Sequence, residues 1–93
     1  MANAHADNVK RVNFVPQNEE NNLVLSVGQD GFVKMWDLRN AQQPVSSLNV
    51  ENPIEDFCFG PNREVMVGHS NSLQLLSFAE DLQLKTLETL YPF

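Results

Sequence analysis

The sequence predicts an all-β chain made of two four-stranded antiparallel meanders, and three observations carry that prediction. Helix-period apolar segments of useful length are scarce along its 93 residues. Short runs rich in aliphatic, β-branched and aromatic residues recur from end to end, separated by Asn, Gly, Pro and Asp. The two halves of the chain also answer one another in sequence, which is the mark of a repeated supersecondary unit.

The first predicted strand is Val9–Val15, closed by Pro16, and the polar stretch Gln17 to Asn22 after it reads as a surface turn. Leu23–Val27 follows. Its Leu23-Val24-Leu25 core is apolar on both faces and therefore needs cover on two sides. Gln29-Asp30-Gly31 is a hairpin signal, because glycine tolerates the positive φ of a tight turn. It leads into Phe32–Asp37, and Val45–Val50 completes the first meander. Ile54–Gly60, Glu64–Gly68, Leu73–Phe78 and Leu82–Leu87 make the second, and Val65-Met66-Val67 is again apolar on both faces.

The repeat aligns Val9-x-x-Val12-x-Phe14-x-Pro16 with Ile54-x-x-Phe57-x-Phe59-x-Pro61, an offset of 45 residues. It aligns Val33-Lys34-Met35-Trp36 with Leu73-Gln74-Leu75-Leu76, an offset of 40. A single insertion of five residues in the first half, in the polar stretch 17–22, reconciles the two.

Composition narrows the function classes. A net charge of −6 opposes a general grip on phosphates, which begins with a basic surface, so nucleic acid is excluded as a partner. The single cysteine, Cys58, has no partner for an internal disulfide, and the expected compartment is intracellular, cytoplasmic or nuclear. No run has the length of a membrane-spanning helix, and MANAHADNVKR lacks the apolar core of a signal peptide, so no membrane association is expected. Cys58, between Phe57 and Phe59, is expected to be a buried small hydrophobe, and His69 a surface turn residue. His5, Cys58 and His69 lack metal-ligand spacing, so neither metal nor cofactor is expected.

With these residues in hand, the chain resembles the WD-repeat β-propellers, whose blades are four-stranded antiparallel sheets packed face to face. His5-x-x-x-Val9-x-x-Val12-x-Phe14-x-Pro16 resembles the family's Gly-His opening, with Ala4 where glycine is usual, and Trp36-Asp37 resembles its closing dipeptide. The resemblance implies that His5, Ser26, Asp30 and Trp36 form a structural hydrogen-bond tetrad. Its logic is that an indole N–H buried between blades needs an acceptor, a serine hydroxyl accepts from Trp36 and donates to His5, and a turn carboxylate holds the other imidazole nitrogen. The catalytic alternative, a Ser-His-Asp triad, needs an exposed nucleophile and an oxyanion hole, and no Gly-x-Ser-x-Gly surrounds Ser26. No enzyme activity is expected.

The second half departs from the family pattern. Val50 stands in place of the histidine, Met66 of the serine, Ser70 of the aspartate and Leu76-Ser77 of Trp-Asp. The expected organisation is a full blade over 1–50, a degenerate blade over 51–88 and a C-terminal tail over 89–93. A propeller needs more than two blades, so Val12, Phe14, Leu25 and Met35 are not all expected to find cover within one pair. Further blades in cis, as in a longer propeller, are the expected neighbours, with self-assembled copies or a different chain in trans as alternatives.

The expected function is that of a non-catalytic protein-interaction scaffold, a propeller segment of a multiprotein complex. The family's turn face, here Asp7, Asn8, Gln29, Glu51, Asn52, His69 and Asn71, is the expected partner-binding surface. Trp36-Asp37-Leu38-Arg39 also resembles the Trp-Asp-x-Arg box of substrate receptors on cullin-RING ubiquitin ligases, in which Arg39 is the adaptor-docking position; Arg39 bonded within its own blade is the competing reading.

Overall fold

A computed structural model describes residues 4–16, 22–69, 72–79 and 81–90. Eight strands run in chain order: β1 Val9–Phe14, β2 Leu23–Gly28, β3 Phe32–Asp37, β4 Ser46–Asn49, β5 Asp56–Gly60, β6 Glu64–Gly68, β7 Leu73–Phe78 and β8 Leu84–Leu90. They form two sheets of four strands, ordered β1-β2-β3-β4 and β5-β6-β7-β8, with every neighbouring pair antiparallel. A short 3₁₀ turn, Leu38–Asn40, follows β3.

The strand ends differ from expectation where local hydrogen bonding decides them. Val15 leaves β1 but keeps a backbone bond to Leu23, and it is buried. Ile54 precedes β5 as a core residue of the inter-sheet connection, its N–H donated to the Gly28 carbonyl. Leu82 adopts φ 62°, a left-handed turn conformation, so β8 starts later, and it runs on through residues 89 and 90. The tail expected over 89–93 therefore begins inside a strand.

The two sheets stack with first strand on first strand and fourth on fourth. Strand registers assign the faces. Leu25 pairs with Met35 and Val27 with Val33, and these four lie in the core together with Phe57, Val65, Val67, Leu76, Phe78 and Leu84 of the second sheet. Leu25 and Met35 are thus covered within the pair, because the second sheet closes over their face of the first. Val12 and Phe14 point the other way and remain 47% and 53% exposed. Cys58 is exposed rather than buried, since it shares a strand face with Met66 while its neighbours Phe57 and Phe59 turn to the core.

The registers also correct the repeat. Phe14 pairs with Val24 and Val24 with Trp36; in the second sheet Phe59 pairs with Val65 and Val65 with Leu76. The second strands are therefore offset by 41 residues, between 45 for the first strands and 40 for the third. Val67, not Met66, is the counterpart of Ser26. The extra residues of the first half fall in two places, most in the first turn and one in the β2–β3 turn. Equivalent residues then lie on the same side of each blade.

Candidate functional site

The site is built from the segment before β1, the middle of β2, the β2–β3 turn and the end of β3. Trp36 Nε1 donates to Ser26 Oγ at 3.0 Å. Ser26 Oγ lies 2.7 Å from His5 Nε2, and His5 Nδ1 lies 3.0 Å from Asp30 Oδ1. An indole nitrogen only donates and an ionised carboxylate only accepts, which orders the protons on a neutral imidazole. Trp36 gives its N–H to Ser26, Ser26 gives its hydroxyl proton to His5 Nε2, and His5 gives its Nδ1 proton to Asp30.

All four side chains are largely withdrawn from water, and Ser26 is fully buried. Burial opposes ionisation of Asp30, but the backbone N–H groups of Phe32 and Ala6 and the His5 ring outweigh it and hold the carboxyl below its ordinary value. This chain of bonds straps residues 4–6 across β2, and Lys34 adds a second strap by donating to the Ala4 carbonyl at 2.8 Å. Trp36 and Val24 are buried yet lie on the face turned away from the second sheet, so the indole sits outside this blade pair rather than between its two members.

Gly28 is a part of the site that the sequence pattern did not single out. A Cβ on Gly28 would stand 2.8 Å from His5 Nδ1 and 2.9 Å from Asp30 Oδ1, too close for any side chain. Its position just before the Gln29-Asp30-Gly31 turn was the available signal, but the approach of His5 is a long-range contact.

In the second sheet the corresponding places are apolar. Val50, Val67 and Leu76 replace His5, Ser26 and Trp36, and all three belong to the buried inter-sheet core. Ser70 lies outside the described residues.

The proposed binding residues group at the turn end of the blades. Asn8 Nδ2 donates to Gln29 Oε1 at 3.1 Å, and Asp7 accepts from the Asn8 backbone. Glu51, held at φ 68°, donates its backbone N–H to Asn49 Oδ1 and the Asn52 backbone lies over Gly31, while His69 Nδ1 lies 3.4 Å from the Pro53 carbonyl and its Nε2 3.4 Å from Gln74 Oε1. Asn71 lies outside the described residues. Arg39 sits apart from these, beyond the far end of β3. Its guanidinium grips Asp37 at 2.8 Å, and Asn22 donates to the same carboxylate. The Arg39 and Asn22 bonds hold Asp37 well below the usual carboxylate range.

Among the described residues no group of His, Cys, Asp and Glu could hold a metal ion. Among them, no helix is long and apolar enough to cross a membrane.

Fold and tetrad together define the class: the chain is a pair of WD-repeat β-propeller blades. It is 30% identical over 90 residues to the small ribosomal subunit protein RACK1 of Medicago sativa, covering 90% of this chain and 27% of that protein. Among solved structures it resembles a chain of the mitotic checkpoint complex, with a TM-score of 0.78 and 19% identity over 94% of this chain and 27% of the other. It also resembles Hsv2 of Kluyvelomyces marxianus, with a TM-score of 0.65 and 19% identity over 88% of this chain and 26% of the other. The chain thus spans about a quarter of the length of these proteins. No family model matches it.

Proposed function

We propose that this chain is a non-catalytic scaffold segment that binds a protein partner through the turn end of its two blades. The supporting observation is the placement of Asn8, Gln29, Glu51, Asn52 and His69 at the end of sheets whose first member is locked by the tetrad. Rigid strands hold polar turn groups in fixed positions, so little ordering entropy is lost on binding. Two of the similar proteins are named as components of assemblies, a ribosomal subunit and a mitotic checkpoint complex, which favours the same class of role. The ionic bond from Arg39 to Asp37 favours a turn-locking role for the Trp-Asp-x-Arg sequence over adaptor docking for a ubiquitin ligase.

The test is affinity capture on the immobilised chain, compared with a Glu51→Lys, His69→Ala double variant. The variant should lose the captured proteins while keeping the parent circular dichroism spectrum and melting temperature. Undiminished capture, or turnover of ester, peptide or phosphate substrates by the parent chain, would overturn the proposal.

A further inference from the structure

The inter-blade junction within the chain is heterologous: one side of the first sheet meets the opposite side of the second. The two faces left open are therefore of the same two kinds, arranged to meet each other. On the open face of the second sheet, a hollow of about 200 Å³ is lined by Asp56, Phe57, Cys58, Met66, Gly68 and Leu73. By register, Cys58, Met66 and Leu73 are the equivalents of Asn13, Leu25 and Val33. Leu25 and Val33 are fully covered by the second sheet. The hollow is thus the unfilled counterpart of a junction that the chain already makes. On the open face of the first sheet, Val12 and Phe14 are the equivalents of Phe57 and Phe59, the residues that fill the internal junction.

Charge selects what fills it. Lys10 pairs with Glu55 at 3.8 Å, and Arg11 pairs with Asp56, so each basic residue of the first blade meets its own repeat equivalent in the second as an acid. These four side chains are one-third to nearly three-fifths exposed, open to a second neighbour. Stacking another copy head to tail brings Glu55 and Asp56 of one copy to Lys10 and Arg11 of the next. Stacking two copies with like faces together sets Arg11 beside Arg11, or Asp56 beside Asp56, which is repulsive.

We propose that the hollow at Cys58, Met66 and Leu73 is a docking site for the Val12 and Phe14 face of a second copy of this chain, in head-to-tail register. This goes beyond the partner-binding reading and does not depend on it, since the turn end is left free.

The test uses the full chain and a charge-swapped variant, Lys10→Glu, Arg11→Asp, Glu55→Lys, Asp56→Arg. The swap keeps every pair within the chain and every pair between identical copies, but sets like charges against each other wherever a parent copy meets a swapped one. Native mass spectrometry and sedimentation should find each protein alone at one small integer multiple of its chain mass, with little exchange when the two are mixed. Phe14→Asp, at an exposed position, should shift the parent to single-chain mass while it remains folded. A parent that stays monomeric at tens of micromolar would overturn the proposal. So would a polydisperse aggregate, free mixing of parent and swapped copies, or a chain that becomes ordered only with a different propeller segment.

Discussion

Trp36 and Ser26 stand on neighbouring strands of one sheet face, joined by a 3.0 Å bond from the indole N–H to the hydroxyl oxygen. The pair anchors a relay that runs through His5 to Asp30 and ties the segment before β1 to the sheet. Trp36→Ala removes a side chain that is only 4% exposed and should cost about 3–5 kcal/mol. That is a large share of the stability of so small a domain. Chemical denaturation checks it, and a variant that unfolds at the parent midpoint would show that the indole carries little.

The apolar set of the second blade gives a sharper test of how the relay works. Ser26→Val alone strands the Trp36 N–H and the His5 ring, each costing about 1–3 kcal/mol. Combining it with His5→Val and Trp36→Leu imports the Val50, Val67 and Leu76 arrangement and removes both stranded groups, while Asp30 keeps the backbone N–H donors of Phe32 and Ala6. The triple variant should lose about 1–3 kcal/mol less than the sum of the three single losses, which a thermodynamic cycle measures. Strict additivity would mean that the three groups do not act together.

Gly28→Ala should be destabilising although the backbone there is ordinary, because the new Cβ meets His5 Nδ1 and Asp30 Oδ1 below 3.0 Å. A loss of about 1–3 kcal/mol is expected, the usual range for overpacking. It should shrink when His5 is also truncated to alanine. Equal losses in the two backgrounds would place the strain elsewhere.

Acid should loosen the chain through carboxylates of both blades. Asp30 and Asp56 are held below the ordinary value of 3.8, Asp30 by backbone N–H groups and His5, against its burial, and Asp56 by Arg11 and the Phe57 N–H. A carboxylate with a lowered folded value binds its proton more weakly folded than unfolded. Its stabilising contribution is complete above about 3.8 and is lost as the pH falls through the folded value. Stability measured by urea titration should therefore decline below that point. Asp30→Asn should be less stable near neutrality, and its decline should be shallower. An unchanged acid profile in Asp30→Asn would assign the effect to other groups.

Ser46 offers a change in the opposite direction. Its hydroxyl is buried opposite Met35 and makes no hydrogen bond among the described residues. Ser46→Ala should raise stability by about 1 kcal/mol, since it removes a desolvated polar group at almost no loss of volume. A lower melting temperature would show that the hydroxyl has a partner in solution.

The sequence by itself determined the eight strands and the tight turn at Asp30-Gly31, each written in local composition and alternation along the chain. The grouping of His5, Ser26, Asp30 and Trp36 was implied only by the resemblance of these residues to the WD-repeat pattern. Only the tertiary structure decided which of the two faces of each strand meets the other sheet. Alternation says that Val24, Ser26 and Leu25, Val27 lie on opposite faces, but both faces are apolar enough to be buried, so the pattern is silent on the choice. Leu25 and Met35 are covered, Val12 and Phe14 are open, and Cys58 faces outward for this reason. The same ambiguity hid the 41-residue offset of the second strands, because Val65, Met66 and Val67 are all apolar and a one-residue slip exchanges faces without changing composition. The approach of His5 to Gly28 and the pairing of Arg11 with Asp56 join residues far apart in the chain, and only the stacking of strands on strands brings such groups within reach.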